Sequence, residues 1–172
     1  MSAERRLKID SLNPALLLGL SILFLARWQL RTLLVASAAG TALVSVVGAG
    51  SFHLALVAAC APFVVLVFIA IHETAHWFEV KRRLRSPSAG ALISSGRKIF
   101  IRRPELKGTD LLVVSLAGPL SAGTIASACA VASREQLPLC VVFAMVALAQ
   151  FSALTPWTRD GVDIAAALDP HR

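Results

Sequence analysis

The stretch LALVAACAPFVVLVFIAIHETAHWF, residues 54–78, decides how this chain folds. Residues 54–71 carry no charged side chain, and this run approaches the twenty or so apolar residues with which a helix crosses a bilayer. The run then reaches His72, Glu73 and His76. Ionisable groups are costly next to so long an apolar segment and are there a functional hypothesis by default. The stretch therefore predicts a membrane-spanning helix with a functional site near one end.

The spacing of the two histidines predicts the chemistry of that site. Residues four apart lie on the same face of a helix, so His72 and His76 present two imidazoles to one point. Glu73 lies beside the first of them. Two nitrogens can hold a zinc ion, and the carboxylate can take a proton from a water molecule at that ion. The alternative is a solvated helix end, which the preceding apolar run disfavours.

The composition indicates a membrane protein of one domain. Hydrophobic residues make up 56% of the 172 residues, and the mean hydropathy is +0.72, which is too apolar for an ordinary soluble domain. The net charge is +7, and residues 79–110 hold nine Lys or Arg against three acids. Such a cluster can bind nucleic acid, but beside apolar spans it marks a cytoplasmic loop. We expect a lipid bilayer as partner and no nucleic acid.

The apolar runs predict an all-α polytopic membrane protein, a bundle of about four to five transmembrane helices. The four clearest spans are residues 33–50, 54–78, 111–132 and 137–154, while residues 12–26 could be a short span or an interfacial helix. Small residues at Ala36, Gly40 and Gly48 favour close helix packing in lipid. Residues 91–101 predict a small β-hairpin in the cytoplasmic segment. It is either a strand edge for an unwound substrate or a loop at the membrane surface.

The positive-inside rule predicts the orientation. With residues 79–110 in the cytoplasm, the spans alternate so that both histidines and Asp160 come to the cytoplasmic face of the cell membrane. Zinc in a hydrolytic site takes three protein ligands and a water molecule, so a carboxylate is needed. Asp160 is favoured for its position. Glu79 could instead fold back, while Asp110 and Asp163 read as helix caps, and Asp160 itself could belong to a turn or a cap.

Three motifs together resemble the site-2 protease family of intramembrane zinc metalloproteases. They are residues 72–76 (HETAH), residues 115–120 (SLAGPL) and residues 156–161 (PWTRDG), in the family's order and across residues 33–168. The resemblance implies one Zn²⁺ per chain, held by the residues corresponding to its metal ligands. These are His72, His76 and Asp160, with Glu73 as the general base.

The resemblance also implies the function. The chain would be a single membrane-embedded metalloprotease domain over residues 1–172, with residues 1–32 as an N-terminal anchor or interfacial helix and residues 33–168 as the catalytic core. It would hydrolyse peptide bonds in or near transmembrane segments of membrane-protein substrates, under a possible regulatory membrane partner. Ser152 falls where the family has an asparagine that helps to position substrate, so it is the expected substrate-binding position.

Two other classes of function stay open at this point. A catalytically silent homologue could serve as a binding scaffold, although a scaffold would not need Glu73. A membrane protein that binds or transports zinc is the second alternative. Transporters usually place ligands on several spans at mid-depth, whereas this sequence has one clear cluster.

Overall fold

The computed structural model describes residues 5–46, 52–95 and 98–169, and it is mostly helical. The elements in chain order are β1 (Arg5–Leu7), α1 (Pro14–Val46), α2 (Phe52–Arg83), β2 (Ala91–Ser95), β3 (Lys98–Arg102), α3 (Gly108–Ala132), α4 (Leu137–Ser152) and α5 (Arg159–Leu168). Helix α2 packs between α1 and α3, and α3 also packs against α4 and α5. This arrangement brings the end of α2 close to the start of α5.

Three of the described helices, α1, α2 and α3, are long and apolar enough to cross a membrane. The fourth apolar helix, α4, has 16 residues and is shorter than a usual span. Helix α5 has only 10 residues. The predicted helical bundle with apolar spans is therefore present, with three clear candidates where the sequence indicated at least four.

Helix α1 differs from the prediction. The sequence suggested a short segment at residues 12–26 and a separate span at 33–50, but α1 is one helix of 33 residues, about 50 Å long. The expected boundary at residue 32 falls inside it. The charged Arg27 and Arg31 are exposed and leave the backbone hydrogen bonds intact, so they do not end the helix. No proline follows Pro14 before Val46 that would break it.

Small residues bring α1 and α2 together. A Cβ atom added at Gly40 would lie 3.3 Å from the carbonyl oxygen of Ala58, so the glycine permits close packing. Leu33 and Leu66 are buried in the same apolar cluster nearer the histidines. Gly48, which the sequence placed in the same stripe, lies outside the described residues.

A three-stranded antiparallel sheet lies beside the histidine end of α2. The predicted hairpin is present as β2 and β3, and its turn at residues 96–97 lies outside the described residues. Strand β1 was not predicted. It pairs with the other side of β2, with Arg6 opposite Ile93, so β2 is central and β3 forms an edge. A three-residue strand at residues 5–7 carries too short a pattern to be recognised in a sequence.

The sheet is fastened to the end of α2. The Trp77 indole donates a hydrogen bond to the carbonyl oxygen of Ala89 at 2.9 Å. The ammonium group of the fully buried Lys81 donates to the carbonyl oxygens of Ile9 and Pro87. Trp77 is itself fully buried in the apolar cluster between α1, α2 and the sheet. The histidine-bearing end of α2 is therefore held by both the N-terminal segment and the loop that leads into β2.

Candidate metal centre

Helices α2 and α5 bring the three predicted ligands together. The Nε2 atoms of His72 and His76 lie 3.0 Å apart. Asp160 reaches both imidazoles, with Oδ2 at 3.1 Å from Nε2 of His72 and Oδ1 at 3.4 Å from Nε2 of His76. These three residues are the group of the described chain whose ligand atoms converge closely enough to hold a metal ion.

The other nitrogen of each imidazole is already used. Nδ1 of His76 donates to the carbonyl oxygen of Val114 at 2.5 Å, and Nδ1 of His72 donates to Oε1 of Gln150 at 2.7 Å. A carbonyl oxygen can only accept, so each Nδ1 carries the proton of its neutral ring. Each Nε2 therefore presents a lone pair. Metal-binding histidines are commonly oriented in this way by their second nitrogen.

This donor set fits a zinc ion. Two unprotonated nitrogens 3.0 Å apart cannot hydrogen-bond to each other, so their lone pairs repel each other and the nearby carboxylate. A cation bound between these three groups would replace that repulsion with attraction. Bond lengths of about 2.0–2.1 Å in a tetrahedral site separate two ligand nitrogens by roughly 3.3 Å. The separations of 3.0, 3.1 and 3.4 Å lie close to that value. Two imidazoles and one carboxylate leave a fourth position open, which is typical of hydrolytic rather than structural zinc.

Local structure explains why Asp160 points toward the histidines. Thr158 caps α5, its hydroxyl accepting from the backbone N–H of Gly161 at 3.2 Å. Gly161 packs directly on the Thr155 carbonyl, where a side chain would overlap it. The Asp-Gly pair is thus the first turn of a helix. The cap and the close packing of Gly161 place the Asp160 side chain against both imidazoles, where its carboxylate can serve as a metal ligand.

Gly118 explains the second motif, Ala117-Gly118-Pro119. The His76 imidazole lies on Gly118, and an added Cβ would come within 2.7 Å of its Cδ2 and 2.8 Å of its Cε1. Glycine is required here for the close approach of the ring rather than for an unusual backbone conformation. Helix α3 thus positions His76 in two ways. The Val114 carbonyl accepts a hydrogen bond from its ring, and the absence of a side chain at Gly118 leaves room for that ring.

A cavity of about 140 Å³ adjoins the three ligands and lies between α2, β3, α3 and α5. Its walls are formed by His72, Glu73, His76, Ile99, Phe100, Ile101, Arg103, Ser115, Arg159, Asp160 and Asp163. The half-buried Glu73 therefore faces the same space as the candidate metal ligands. A carboxylate in this position can exchange a proton with a water molecule held beside the ligands.

The acids weighed as alternative third ligands are engaged elsewhere. Glu79 pairs with Arg82 at 2.8 Å. Asp110 pairs with Arg83 at 2.9 Å. Asp163 lines the cavity, but its carboxylate pairs with Arg103 at 2.8 Å. Each of these carboxylates already has a cationic partner, whereas Asp160 contacts the two imidazoles.

Ser152, the predicted substrate-binding position, is not among the residues that line the cavity. It is exposed at the end of α4, and its hydroxyl donates to the Ala149 carbonyl at 2.7 Å. Sequence reasoning instead overlooked Gln150, two residues earlier. The available signal was a single amide side chain in the otherwise apolar residues 137–151. The Val114 carbonyl had no such signal, because every residue has a backbone acceptor.

Comparisons of this chain with protein-family models, with curated proteins and with solved structures found no match. The case for a function therefore rests on the three motifs and on the geometry around His72, His76 and Asp160.

Proposed function

We propose that this protein is an intramembrane zinc metalloprotease that hydrolyses peptide bonds in or near transmembrane segments of membrane-protein substrates. The observation that carries the proposal is the convergence of the Nε2 atoms of His72 and His76 and the Asp160 carboxylate beside Glu73. One Zn²⁺ per chain, held by His72, His76 and Asp160, would polarise the scissile carbonyl group and acidify the attacking water.

The chain's own residues supply the proton transfers. Glu73 accepts a proton from the attacking water while the oxygen of that water bonds to the carbonyl carbon. As the carbon–nitrogen bond breaks, Glu73 passes that proton to the leaving amine. Gln150 and the Val114 carbonyl keep both imidazoles in the tautomer that leaves Nε2 unprotonated. The roles are thus divided between one base, three ligands and two orienting acceptors.

The register of α1 against α2 supports a site at the edge of the bilayer. Gly40 packs against Ala58. Following the antiparallel helices from that contact toward the histidines brings Arg31 to about the level of Val67 and Arg27 to about the level of Ile71. These two exposed arginines therefore mark the end of the apolar span just before His72. Water needed for hydrolysis would reach a site at that level. The positive-inside rule assigns this face to the cytoplasm, with the protein crossing the cell membrane several times.

The edge strand β3 supports an extended peptide as substrate. Strand β2 is paired on both sides, while β3 has β2 as its partner in the described sheet. Residues Ile99, Phe100 and Ile101 of β3 line the cavity that holds Glu73. An extended segment could add to this edge through main-chain hydrogen bonds. The backbone of an unwound transmembrane helix would thereby find partners for its freed polar groups.

The test compares Glu73→Gln with Asp160→Ala in purified protein, using Glu79→Gln as the matched control. Glu73→Gln keeps the three ligands, so zinc should stay near one per chain while cleavage of a single-span membrane substrate falls by roughly a hundredfold or more. Asp160→Ala removes a ligand, so both zinc affinity and cleavage should fall. Glu79 is on the same helix but pairs with Arg82 outside the cavity, so its variant should retain both.

Three outcomes would contradict the proposal. Normal cleavage by Glu73→Gln would show that this carboxylate is not the base. Retention of zinc and activity by Asp160→Ala would show that another residue completes the site. Wild-type protein that binds zinc but cleaves no membrane substrate would favour a silent scaffold or a zinc transporter, which zinc uptake into vesicles would separate.

A further inference from the structure

The hydroxyl group of Ser115 is the unexplained polar group of the metal-site cavity. Ser115 is fully buried, and its Oγ has no hydrogen-bond partner. The residue nevertheless lines the cavity with His72 and Glu73. A buried hydroxyl without a partner destabilises a folded protein, and at the wall of a cavity a bound group can supply the missing partner.

Two other serines in these helices bond to the preceding turn, whereas Ser21 of α1, like Ser115, has no partner for its hydroxyl. On the same helix, Ser127 donates to the Gly123 carbonyl at 2.9 Å. Ser45 of α1 donates to the Thr41 carbonyl at 2.9 Å in the same way. This bond to the preceding turn is the usual one for a helical serine. Ser115 lacks this bond, so the residue brings an unpaired hydroxyl to the wall of the cavity.

The other hydrogen-bond donors around the cavity have partners or lie at its exposed side. The Nδ1 atoms of both histidines are used by Gln150 and Val114. Arg103 pairs with Asp163 at 2.8 Å. Arg159 is exposed and its guanidinium group stacks on the Phe100 ring, 5.6 Å from the centroid. Ser115 is therefore the buried donor of the described cavity wall that has no partner.

The position of Ser115 on α3 is fixed relative to the ligands. It follows Val114, whose carbonyl oxygen holds His76. It comes one turn before Gly118, on which the same imidazole lies. Residues three apart share a helix face, so Ser115 and Gly118 both face α2. Ser115 is thus held on the wall of the cavity that adjoins the candidate metal ligands by a helix rather than by a loop.

We propose that Ser115 is a catalytic residue that donates a hydrogen bond to the carbonyl oxygen of the scissile peptide. The bond strengthens as that oxygen gains negative charge while the attacking water adds to the carbonyl carbon. A fixed donor in a buried site stabilises such developing charge strongly, because it needs no reorganisation. This role rests on the proposed protease function. It adds a fourth kind of group to the site, beside the ligands, the base and the orienting acceptors.

Ser115→Ala and Ser21→Ala form a matched pair for the test. Ser21 of α1 is also fully buried with no partner for its Oγ, but it does not line the cavity. Removing either hydroxyl should leave the melting temperature unchanged or raise it, because no hydrogen bond is lost. Zinc content should stay the same in both. Only Ser115→Ala should lower kcat, by roughly a hundredfold as for a lost oxyanion donor, with KM nearly constant.

A second measurement does not depend on turnover. A phosphinic analogue of the substrate peptide carries a tetrahedral, negatively charged group where the scissile carbonyl would be. Its affinity should fall in Ser115→Ala by about the same factor as kcat/KM and stay unchanged in Ser21→Ala.

The outcomes separate this role from the protease function. If wild type cleaves and Ser115→Ala cleaves equally well, or binds the analogue equally well, the role of Ser115 is overturned and the protease function stands. A parallel loss of melting temperature and zinc in Ser115→Ala alone would make the residue structural and also overturn the role. A zinc-loaded wild type that neither cleaves nor binds the analogue would overturn both.

Discussion

Replacing Gly118 by alanine should remove zinc while leaving the fold intact. The new Cβ would lie 2.7 Å from Cδ2 and 2.8 Å from Cε1 of His76, whereas ordinary contact begins at 3.4 Å. The Cβ would lie closer still to Nε2, the proposed ligand atom, so the imidazole must retreat by at least about 0.7 Å. Metal–ligand distances tolerate only about 0.2 Å. A displaced ligand should cost at least the 10- to 100-fold in affinity that a lost orienting contact costs.

The effect on stability should be much smaller. Overpacking costs roughly 1–3 kcal/mol, but alanine is favoured over glycine inside a helix by about 0.5–1 kcal/mol. Gly123→Ala is the matched control on the same helix. Its Cβ would come within 2.7 Å of Cε1 of Phe151, a ring that does not line the cavity and whose exposed side chain can move. Both variants should therefore melt within a few degrees of each other.

The assay combines zinc content by mass spectrometry, competition with a chelator of known affinity, and thermal melting of the metal-free protein. Gly118→Ala should lose zinc to the chelator about a hundredfold more readily than wild type, and Gly123→Ala should not. Equal zinc affinity in wild type and Gly118→Ala would refute the reasoning. It would show that zinc binding does not depend on the position of the His76 imidazole over Gly118. Equal loss in both variants would assign the effect to general destabilisation.

Three further predictions concern the surroundings of the site. Gln150→Leu removes the acceptor for Nδ1 of His72, so zinc affinity should fall by roughly 10- to 100-fold in chelator competition, and an unchanged affinity would exclude the orienting role. Proline at Ile99 and at Phe100 should act differently, because alternate residues of an edge strand direct their N–H groups to opposite sides. The variant whose lost N–H points away from β2 should keep its zinc and its fold but cleave poorly. Normal cleavage by both variants would show that no substrate strand pairs with β3. A cysteine at Ser88, in a cysteine-free background, should resist impermeant thiol reagents added outside cells, and efficient labelling would reverse the orientation.

The sequence predicted those features that depend on short-range periodicity. Spacing of four placed His72 and His76 side by side, and apolar runs located α2, α3 and α4 to within a few residues. Counting the alternating spans predicted that Asp160 lies at the same end of the bundle as the histidines. That prediction depends only on the number of spans and not on how they pack. These inferences succeed because helix geometry fixes them locally.

The features that sequence reasoning missed depend on tertiary contacts. The continuity of α1 through Arg27 and Arg31 was hidden because exposed charges resemble a boundary in a hydropathy pattern. Strand β1 exists only because β2 offers it an edge. Gln150 gains its role from the imidazole that α2 brings to it. None of these relationships has a period or a spacing that a single sequence displays.

The pairing of β1 with β2 has a consequence for the order of events on the ribosome. Arg5 lies opposite Ser94, so the first strand to be synthesised waits until α1, α2 and the first strand of the hairpin have emerged. His72 and His76 likewise exist as a two-nitrogen site before Asp160 is made, 88 residues after His72. Under the zinc site proposed above, a newly made chain would therefore hold the ion weakly until α5 has emerged and docked. Metal acquisition should then follow synthesis, so that the proposed activity starts only in the finished chain.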